Sequence, residues 1–501
     1  MPGDPVRELV DRLSAASILV SADVTKDDLS GIDTETLAAR ILEEYLGRDG
    51  LKIVSKSDLE RMLETLKAEK TPVPAEHIQA QRTGFSAYAS EIDADYSIRV
   101  SENERSGVNL DGFVSYFRNR MERMRDIIGS QRMGISGMVQ NIEALRNCAN
   151  GRDVTVVGMV SNKIVTKNGN IMIVVDDETG EYKIIFMNGS SQKAKALFEK
   201  ARRIVNDEVL AVNGRMSSPF IIANEIVWPD IPINNREKTE EDVGIAFISD
   251  LHIGSKKFME KNFTNFIKWL NGEHGDRHDL AGKIKYIVVG GDVVDGIGVY
   301  PNQDRDLSIL DIYAQYKLFM DMIEGIPDYI HMFIIPGNHD AIQRAEPQPA
   351  LTKELVGEIK RDNVHMLPNP SFLTLHGVDV LAYHGTSLDS IIRSIPGLSY
   401  ADPEGAMVEL LKRRHLSPIY GGNIIVPSPK DSMVIDKVPD ILTMGHVHKN
   451  CLGNYHGVDI LNSGTWQART DFQIVQGHVP SPCILSVYEA RYNRFATLNF
   501  A

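Results

Sequence analysis

The chain has 501 residues, a length typical of two to four domains. Its 54 Lys and Arg and 68 Asp and Glu give a net charge of −14, so bulk charge does not favour binding to nucleic acid, and any such contact must come from a local basic strip or from metal ions. The three cysteines lack the paired spacing of a disulfide framework or a zinc ribbon, which favours a reducing cytoplasm. No signal peptide and no membrane span are expected, because no basic segment followed by an apolar run opens the chain and no apolar run reaches 18 residues.

The first 115 residues divide into two segments of different character. Apolar residues recur at helical spacing around Leu9, Leu37 and Leu59, a pattern typical of short amphipathic helices. Residues 1–67 are therefore predicted to form a compact helical module with a docking or interaction role. Residues 68–115 are polar, turn-rich and weakly periodic, which predicts a flexible linker.

Residues 116–147 are helical in pattern and basic. Its basic strip consists of Arg118, Arg120, Arg123, Arg125 and Arg132. Such a strip is explained equally well by a solvated helix face and by contact with nucleic acid or with a partner protein.

Between residues 153 and 228 the pattern changes to β. Three apolar strands, a helical stretch and two further strands follow one another, which is the order of a five-stranded OB barrel. The Val156–Val160 and Asp176–Gly180 segments resemble OB domains that bind nucleic acid, although a protein-docking role is equally open. Residues 116–235 are assigned to one domain that comprises the basic helix and this barrel.

From residue 242 to residue 501 apolar strands alternate with helices, which predicts an α/β sandwich and makes the whole chain an α+β multidomain protein. Five of these strands are each followed by residues that bind metals in other proteins. In chain order these are Asp250 and His252; Asp292 and Asp295; Asn338, His339 and Asp340; His384; and His446 and His448.

The position and chemistry of these residues indicate a metal site. Loops that follow parallel strands meet at the same edge of a sheet, so ligands from distant parts of the sequence can converge there. Alternation, as in Asp-x-His and His-x-His, places both side chains on the same side if the segment is extended. Carboxylate, imidazole and amide ligands together suit borderline-to-hard divalent ions such as Mn²⁺, Fe²⁺ or Zn²⁺.

The five motifs together resemble those of the calcineurin-like metallophosphoesterase superfamily over about residues 242–501. The resemblance implies one metal held by Asp250, His252, Asp292 and His448, and a second held by Asp292, Asn338, His384 and His446. It also implies that His339 lies near the scissile phosphate and that Asp340 orients it. Two such ions would activate a water and offset charge on the phosphate, and His339 would assist the leaving oxygen. Asp295 is expected to hold a ligand in orientation, or to cap the following turn, rather than to bind metal.

The order of a helical module, a linker, an OB barrel and a phosphoesterase domain is similar to that of the small subunits of archaeal family D DNA polymerases. The most distinctive matching segments are Ser249–Ser255, Tyr383–Ser387 and Gly464–Gln467. The resemblance implies a Mn²⁺-dependent 3′→5′ exonuclease, with Mg²⁺, Fe²⁺ or Zn²⁺ as alternative ions. This exonuclease would proofread single-stranded or mismatched primer ends as a heterodimer with a large catalytic polymerase subunit, near the nucleoid of an archaeal cell. A sliding clamp is a further candidate partner.

Two other functions share parts of this pattern. The first is a non-catalytic scaffold that bridges polymerase and clamp, which the complete set of metal ligands disfavours. The second is a protein Ser/Thr phosphatase, which has no need of an oligonucleotide-binding barrel.

Two groups of residues are candidates for nucleic-acid contact. Trp466 and Gln467 follow the last ligand pair and either line a single-strand path or dock the partner subunit; the alternative for Trp466 is a place in the apolar core. Lys412, Arg413 and Arg414 form a basic group that either meets DNA phosphates or ends a solvated helix.

Overall fold

The computed structural model describes short stretches of the first 54 residues and nearly all of the chain from residue 85 onward. The described residues are 9–10, 13, 18–21, 24, 37–38, 41, 52–54, 85–99, 109–131, 141–236 and 239–501. They fall into two compact units, residues 1–84 and residues 85–501, and each is described by itself.

The first unit contains helical residues and a small parallel sheet. Leu9, Leu13, Leu37 and Ile41 are helical and buried, at two of the positions where the sequence predicts helices. The prediction of an all-helical module missed two strands, β1 Ile18–Val20 and β2 Lys52–Val54, which pair in parallel. Three-residue strands are too short to produce a recognisable alternation. The helix predicted around Leu59 lies outside the described residues.

The second unit begins with residues that the sequence assigned to the linker. A 3-10 turn at Tyr88–Glu91 leads into strand β3, Tyr96–Arg99. This strand pairs antiparallel with Ser371–Leu375, so the linker prediction is wrong for this part. Ile98 and its neighbours pack against the core between two sheets, and this distant pairing explains why a short polar segment forms a strand.

Helix α1, Leu110–Gln131, contains the basic strip. Its buried face packs against both the barrel and the C-terminal domain. Arg120 is buried and its Nε lies 2.7 Å from Asp431 Oδ2. The other described arginines of the strip also meet acidic groups of this chain: Arg118 with Glu178, Arg123 with Asp436, and Arg125 with Asp177. The described arginines of the strip thus form ion pairs within this chain. Arg132 lies outside the described residues.

The five-stranded barrel predicted from the sequence is confirmed. The strand order β4-β5-β6-β8-β7 closes because β7 pairs with β4, and apolar side chains fill the interior. A 3-10 turn at Glu143–Asn147 precedes the barrel. The barrel elements are β4 Asp153–Val165, β5 Ile171–Asp177, β6 Gly180–Phe186, α2 Gln192–Arg202, β7 Val209–Ser217 and β8 Phe220–Val227.

The rest of the chain forms two six-stranded sheets that pack face to face. The first sheet has the order β12-β11-β10-β9-β18-β19 and the second β16-β17-β15-β14-β13-β3. The strands are β9 Gly244–Ile248, β10 Ile284–Val289, β11 His331–Ile334, β12 Val364–Met366, β13 Ser371–Leu375, β14 Val378–Ala382, β15 Ile441–Met444, β16 Asn450–Tyr455, β17 Val458–Ser463, β18 Ile484–Glu489 and β19 Arg494–Asn499.

Helices cover the outer faces of both sheets, so the domain has four layers with three apolar cores. The helices are α3 Glu260–Leu270, α4 His278–Ala281, α5 Ile312–Ile323, α6 Lys353–Val356, α7 Leu388–Ser394, α8 Glu404–Arg413 and α9 Asp471–Val475. Short 3-10 turns lie at Gln303–Arg305 and Ala490–Tyr492. Among the described residues, no helix combines the length and apolar character that crossing a bilayer requires.

Candidate metal centre

The five motifs meet at one edge of the paired sheets. Strands β9, β10 and β11 run parallel in the first sheet, and β14 and β15 run parallel in the second. All five end where a motif begins. The predicted ligands therefore converge from both sheets, as side chains at the carboxyl ends of parallel strands do.

One group of ligand atoms surrounds His252. Its Nε2 lies 3.0 Å from His448 Nε2 and 3.8 Å from Asp292 Oδ2. His448 Nε2 lies 3.3 Å from Asp250 Oδ1. Two imidazole nitrogens this close repel unless a proton or a metal ion lies between them, so this set fits a divalent cation.

A second group shares Asp292 with the first. His384 Nε2 lies 3.4 Å from Asp292 Oδ2 and 3.0 Å from Asn338 Oδ1. His446 Nδ1 lies 2.9 Å from the same Asn338 oxygen. The structure thus brings all seven predicted ligands together in two adjoining sets that both include Asp292.

Five of the seven predicted ligands have a left-handed backbone conformation. The φ angles are 54° at Asp250, 53° at His252, 50° at Asp292, 68° at His446 and 57° at His448. Residues with a Cβ rarely adopt this conformation, which costs about 1–2 kcal/mol for each. The explanation from extended alternation is therefore wrong, because tight left-handed turns, and not an extended segment, aim Asp250 and His252 at the same point.

Two glycines allow the loops to approach the carboxylates. A Cβ on Gly337 would lie 2.1 Å from Asp292 Oδ1, and one on Gly445 would lie 2.3 Å from Asp250 Oδ2. No side chain fits at either position without moving a ligand.

The cluster concentrates negative charge in a buried place. Burial opposes ionisation of Asp292, but the imidazoles of His384 and His339 hold its pKa well below the usual range. Burial likewise lowers the pKa of His252 and His384, yet the neighbouring aspartates outweigh it and raise these values to about 9 and about 10. The metal-free cluster therefore holds protons where cations would otherwise balance its charge.

Asp295 orients His252. Its Oδ1 lies 2.9 Å from His252 Nδ1, which leaves Nε2 free to face the cluster. Gln303 and Gln467 donate to the same carboxylate at 3.1 and 3.2 Å. This matches the role expected for Asp295 and gives Gln467 a structural function.

His339 and Asp340 differ from the predicted pair. His339 Nδ1 donates to the Asp295 carbonyl oxygen at 2.8 Å, so Asp295 and not Asp340 orients the ring. Asp340 instead accepts from the Gly337 amide at 2.8 Å and from the Tyr316 hydroxyl at 3.0 Å. Burial and Asp292 raise the pKa of Asp340 to about 7. Its hydrogen bonds hold the loop that presents Asn338, and the prediction that Asp340 orients His339 is wrong.

Five of the seven predicted ligands, all except Asp250 and His384, line a cleft of about 730 Å³. Its walls contain residues that the sequence did not single out, namely Tyr300, Asp389, Arg393, Tyr400 and Phe472. Asp389 Oδ2 lies 3.4 Å from His446 Nε2. The only signal for this pair in the sequence is that helix α7, which contains Asp389, directly follows the His384 loop. Among the described residues that line the cleft, Arg393 is the only lysine or arginine.

Of the predicted nucleic-acid contacts, Gln467 lines this cleft, whereas Trp466, Lys412, Arg413 and Arg414 do not. Trp466 is 0% exposed and packs in the core with Phe263 and Phe266, so its core alternative is the correct one. Arg413 and Arg414 are also buried, and Arg413 pairs with Glu208 of the barrel.

The basic group therefore joins the barrel to the C-terminal domain and does not present a DNA surface. Lys412 is only partly exposed; its Nζ lies 3.4 Å from Glu409 and 5.6 Å from the Trp228 ring centre, so it belongs to the same junction.

Comparisons with known proteins agree with this organisation. A family model that describes the B-type subunits of DNA polymerases alpha and epsilon matches residues 245–451. The DNA polymerase II small subunit of Archaeoglobus fulgidus is 40% identical over 444 residues, which cover 87% of this chain and 86% of that protein. That of Methanothermobacter thermautotrophicus is 40% identical over 78% of this chain and 80% of that protein. That of Methanocaldococcus jannaschii is 38% identical over 80% of this chain and 68% of that protein. The chain belongs to the DNA polymerase II small-subunit family, the small subunits of archaeal family D polymerases.

Proposed function

We propose that this chain is the proofreading nuclease of its polymerase. In this proposal it hydrolyses DNA phosphodiester bonds from the 3′ end with two divalent cations, foremost Mn²⁺, in a complex with a large catalytic subunit. The observation that carries the proposal is the convergence of the seven predicted ligands in one cluster, of which five line a single cleft together with His339. Polymerases extend 3′ ends, so a nuclease that removes misincorporated nucleotides must act on that end.

The donor set is suited to the two ions. Asp250, His252, Asp292 and His448 would hold one, and Asp292, Asn338, His384 and His446 the other. Oxygen and imidazole ligands in each set match the preference of Mn²⁺ and similar ions. When bound, such ions polarise the phosphate and make a water more acidic.

The protein contributes orientation and proton transfer. Asp295 fixes the His252 ring through Nδ1, and its own carbonyl oxygen fixes His339 through that ring's Nδ1. Because a carbonyl oxygen can only accept, His339 Nδ1 carries a proton and Nε2 remains for the substrate. When the ring is the imidazolium, Nε2 also carries a proton and can donate a hydrogen bond to the phosphate or protonate the leaving oxygen.

The direct test is cleavage of single-stranded DNA labelled at its 5′ end, with Mn²⁺, by the chain alone and with its large subunit. A ladder that shortens from the 3′ end is expected from the wild type and from Asp321→Ala, a matched carboxylate that is 53% exposed and does not line the cleft. Asp292→Ala should be inactive and should lose both ions, because Asp292 belongs to both sets. Hydrolysis of phosphopeptides without cleavage of DNA would favour a phosphatase, and inactivity on both substrates would favour a scaffold.

His339 can be tested separately from metal binding. His339→Ala should retain both ions and reduce kcat by roughly 10²–10⁴, the usual contribution of acid–base catalysis. Metal content measured on the same sample separates this effect from loss of the site. Unchanged kcat would remove His339 from the mechanism.

A further inference from the structure

A short helix at the mouth of the cleft carries an exposed aromatic side chain. Phe472 lies in α9, is 68% exposed and lines the cleft. Among the residues that the structure describes, no other ring packs against it. Burying a phenyl ring is favourable by about 2 kcal/mol or more. A ring that is exposed beside a reaction site is therefore expected to be covered by a ligand that binds there.

The backbone of α9 is fixed relative to the ligands. Thr470 and Gln473 form a capping box at its start. The side-chain amide of Gln473 lies 2.9 Å from His448 Nδ1. The helix therefore cannot move without disturbing a metal ligand, and the position of Phe472 is set by the cluster itself.

Helical geometry determines which side chains face the cleft. Successive residues differ by about 100° around the axis, so Phe472 flanks the inward-pointing Gln473. Val475 lies about 200° from Gln473 and is 81% exposed, outside the cleft lining. Phe472 thus faces the reaction site, and Val475 does not.

The other aromatic walls are already engaged. The Tyr400 ring lies 4.5 Å from the His478 ring, and the Tyr300 hydroxyl donates to Asp306 at 3.1 Å. Phe472 has no polar group and, in the described part of the chain, no ring neighbour of this kind, so most of its surface is available to a flat apolar ligand. A nucleobase is such a ligand, and aromatic stacking is the usual way in which proteins hold unpaired bases.

We propose that Phe472 stacks on a base at the single-stranded 3′ end of DNA and so selects unpaired ends for hydrolysis. The inference rests on the proposed nuclease function and adds to it the recognition of the substrate. Bases in a duplex are stacked on their neighbours, so a paired end would not offer a free base to this side chain. Phe472 is a substrate-positioning residue and takes no part in proton transfer.

The test compares oligonucleotides that carry a base or an abasic residue at the 3′ terminus. Phe472→Ala should raise KM for the base-bearing strand roughly 5- to 150-fold, the range for one lost stacking contact, with kcat little changed. The abasic strand should be hydrolysed alike by the variant and the wild type. Phe472→Trp should retain the preference for a base, and Val475→Ala should behave as the wild type.

A binding measurement separates this inference from the nuclease proposal. A strand with 2-aminopurine at its 3′ end should lose fluorescence on binding wild-type protein and not on binding Phe472→Ala, whether or not it is cleaved. No quenching by the wild type would overturn the inference even if cleavage occurs. Equal loss of affinity for base-bearing and abasic strands would also overturn it, as would an effect of Phe472→Ala confined to association with the large subunit.

Discussion

Metal loading of the cluster should release protons. In the metal-free protein the neighbouring aspartates raise the pKa of His252 to about 9 and that of His384 to about 10. Burial lowers the pKa of His448 and His339, and the pKa of Asp292 is held far below neutrality. At about pH 8 the cluster therefore carries about two protons on the two histidines, and bound cations must displace both.

The pH dependence follows with a definite sign. Each displaced proton makes metal affinity rise about tenfold per pH unit below the histidine pKa. The product of the two binding constants should then rise about 10⁴-fold between roughly pH 6.5 and pH 8.5. The metal-free protein behaves oppositely, because stabilisation by the two imidazolium groups is complete below about pH 6.5 and is lost as pH rises through about 9 and about 10.

Titration calorimetry with Mn²⁺ in two buffers of different ionisation enthalpy, such as HEPES and Tris, counts these protons directly. The wild type should release about two at about pH 8, where Asp340, with a pKa raised to about 7, is mostly ionised. His252→Gln should reduce the count to about one. Release below about half a proton would refute the charge argument, and full release by Asp292→Ala would show that the ions bind elsewhere.

Three further predictions concern the supports of the site. Asp295→Asn should weaken metal affinity about 10- to 100-fold, because the anion that orients a ligand is lost; an unchanged Kd in a Mn²⁺ titration would show that this carboxylate does not position the ring. Asp431→Ala should destabilise the folded unit by about 3–5 kcal/mol in urea unfolding, because it leaves a buried arginine unpaired. Asp436→Ala, at a site 48% exposed, should cost at most about 1 kcal/mol, and similar losses in both variants would contradict this. Arg393→Ala should reduce the slope of log affinity against log salt by about 0.7 for single-stranded DNA, and an unchanged slope would exclude a phosphate contact.

The sequence predicted the chemistry of the cluster better than its geometry. The ligand motifs are local signals, since each lies in a few residues directly after an apolar strand, and the structure brings all seven together. The left-handed turns at Asp250 and His252 leave no such signal, because the residue types that would mark them, glycine above all, are replaced by the ligands themselves. These residues have the side chains that metal binding needs, but they adopt backbone conformations that their residue types disfavour, as is common at functional sites.

The errors of prediction have a common physical cause. Strand β3 forms because Ser371–Leu375 supplies its hydrogen bonds from more than 270 positions away in sequence. Arg413 is buried because Glu208, on the barrel, neutralises it. Phe472 is singled out only by its exposure at the mouth of the cleft. In each case the deciding partner or surface is distant in sequence, so composition and periodicity around the residue carry no information about it.

Strain and charge in the cluster point to the same conclusion about metal binding. Five left-handed ligands cost several kcal/mol by the usual estimate, and buried aspartates add repulsion that the two histidine protons only partly relieve. Neither cost is reduced by the loops themselves, so the surrounding apolar cores must hold the ligands in place. A cluster held in this way needs little rearrangement when cations enter, and the displaced protons become the main energetic term that opposes loading. Metal occupancy, and with it the activity of the proposed nuclease, should consequently depend more strongly on pH than on conformational changes in the loops that carry the ligands.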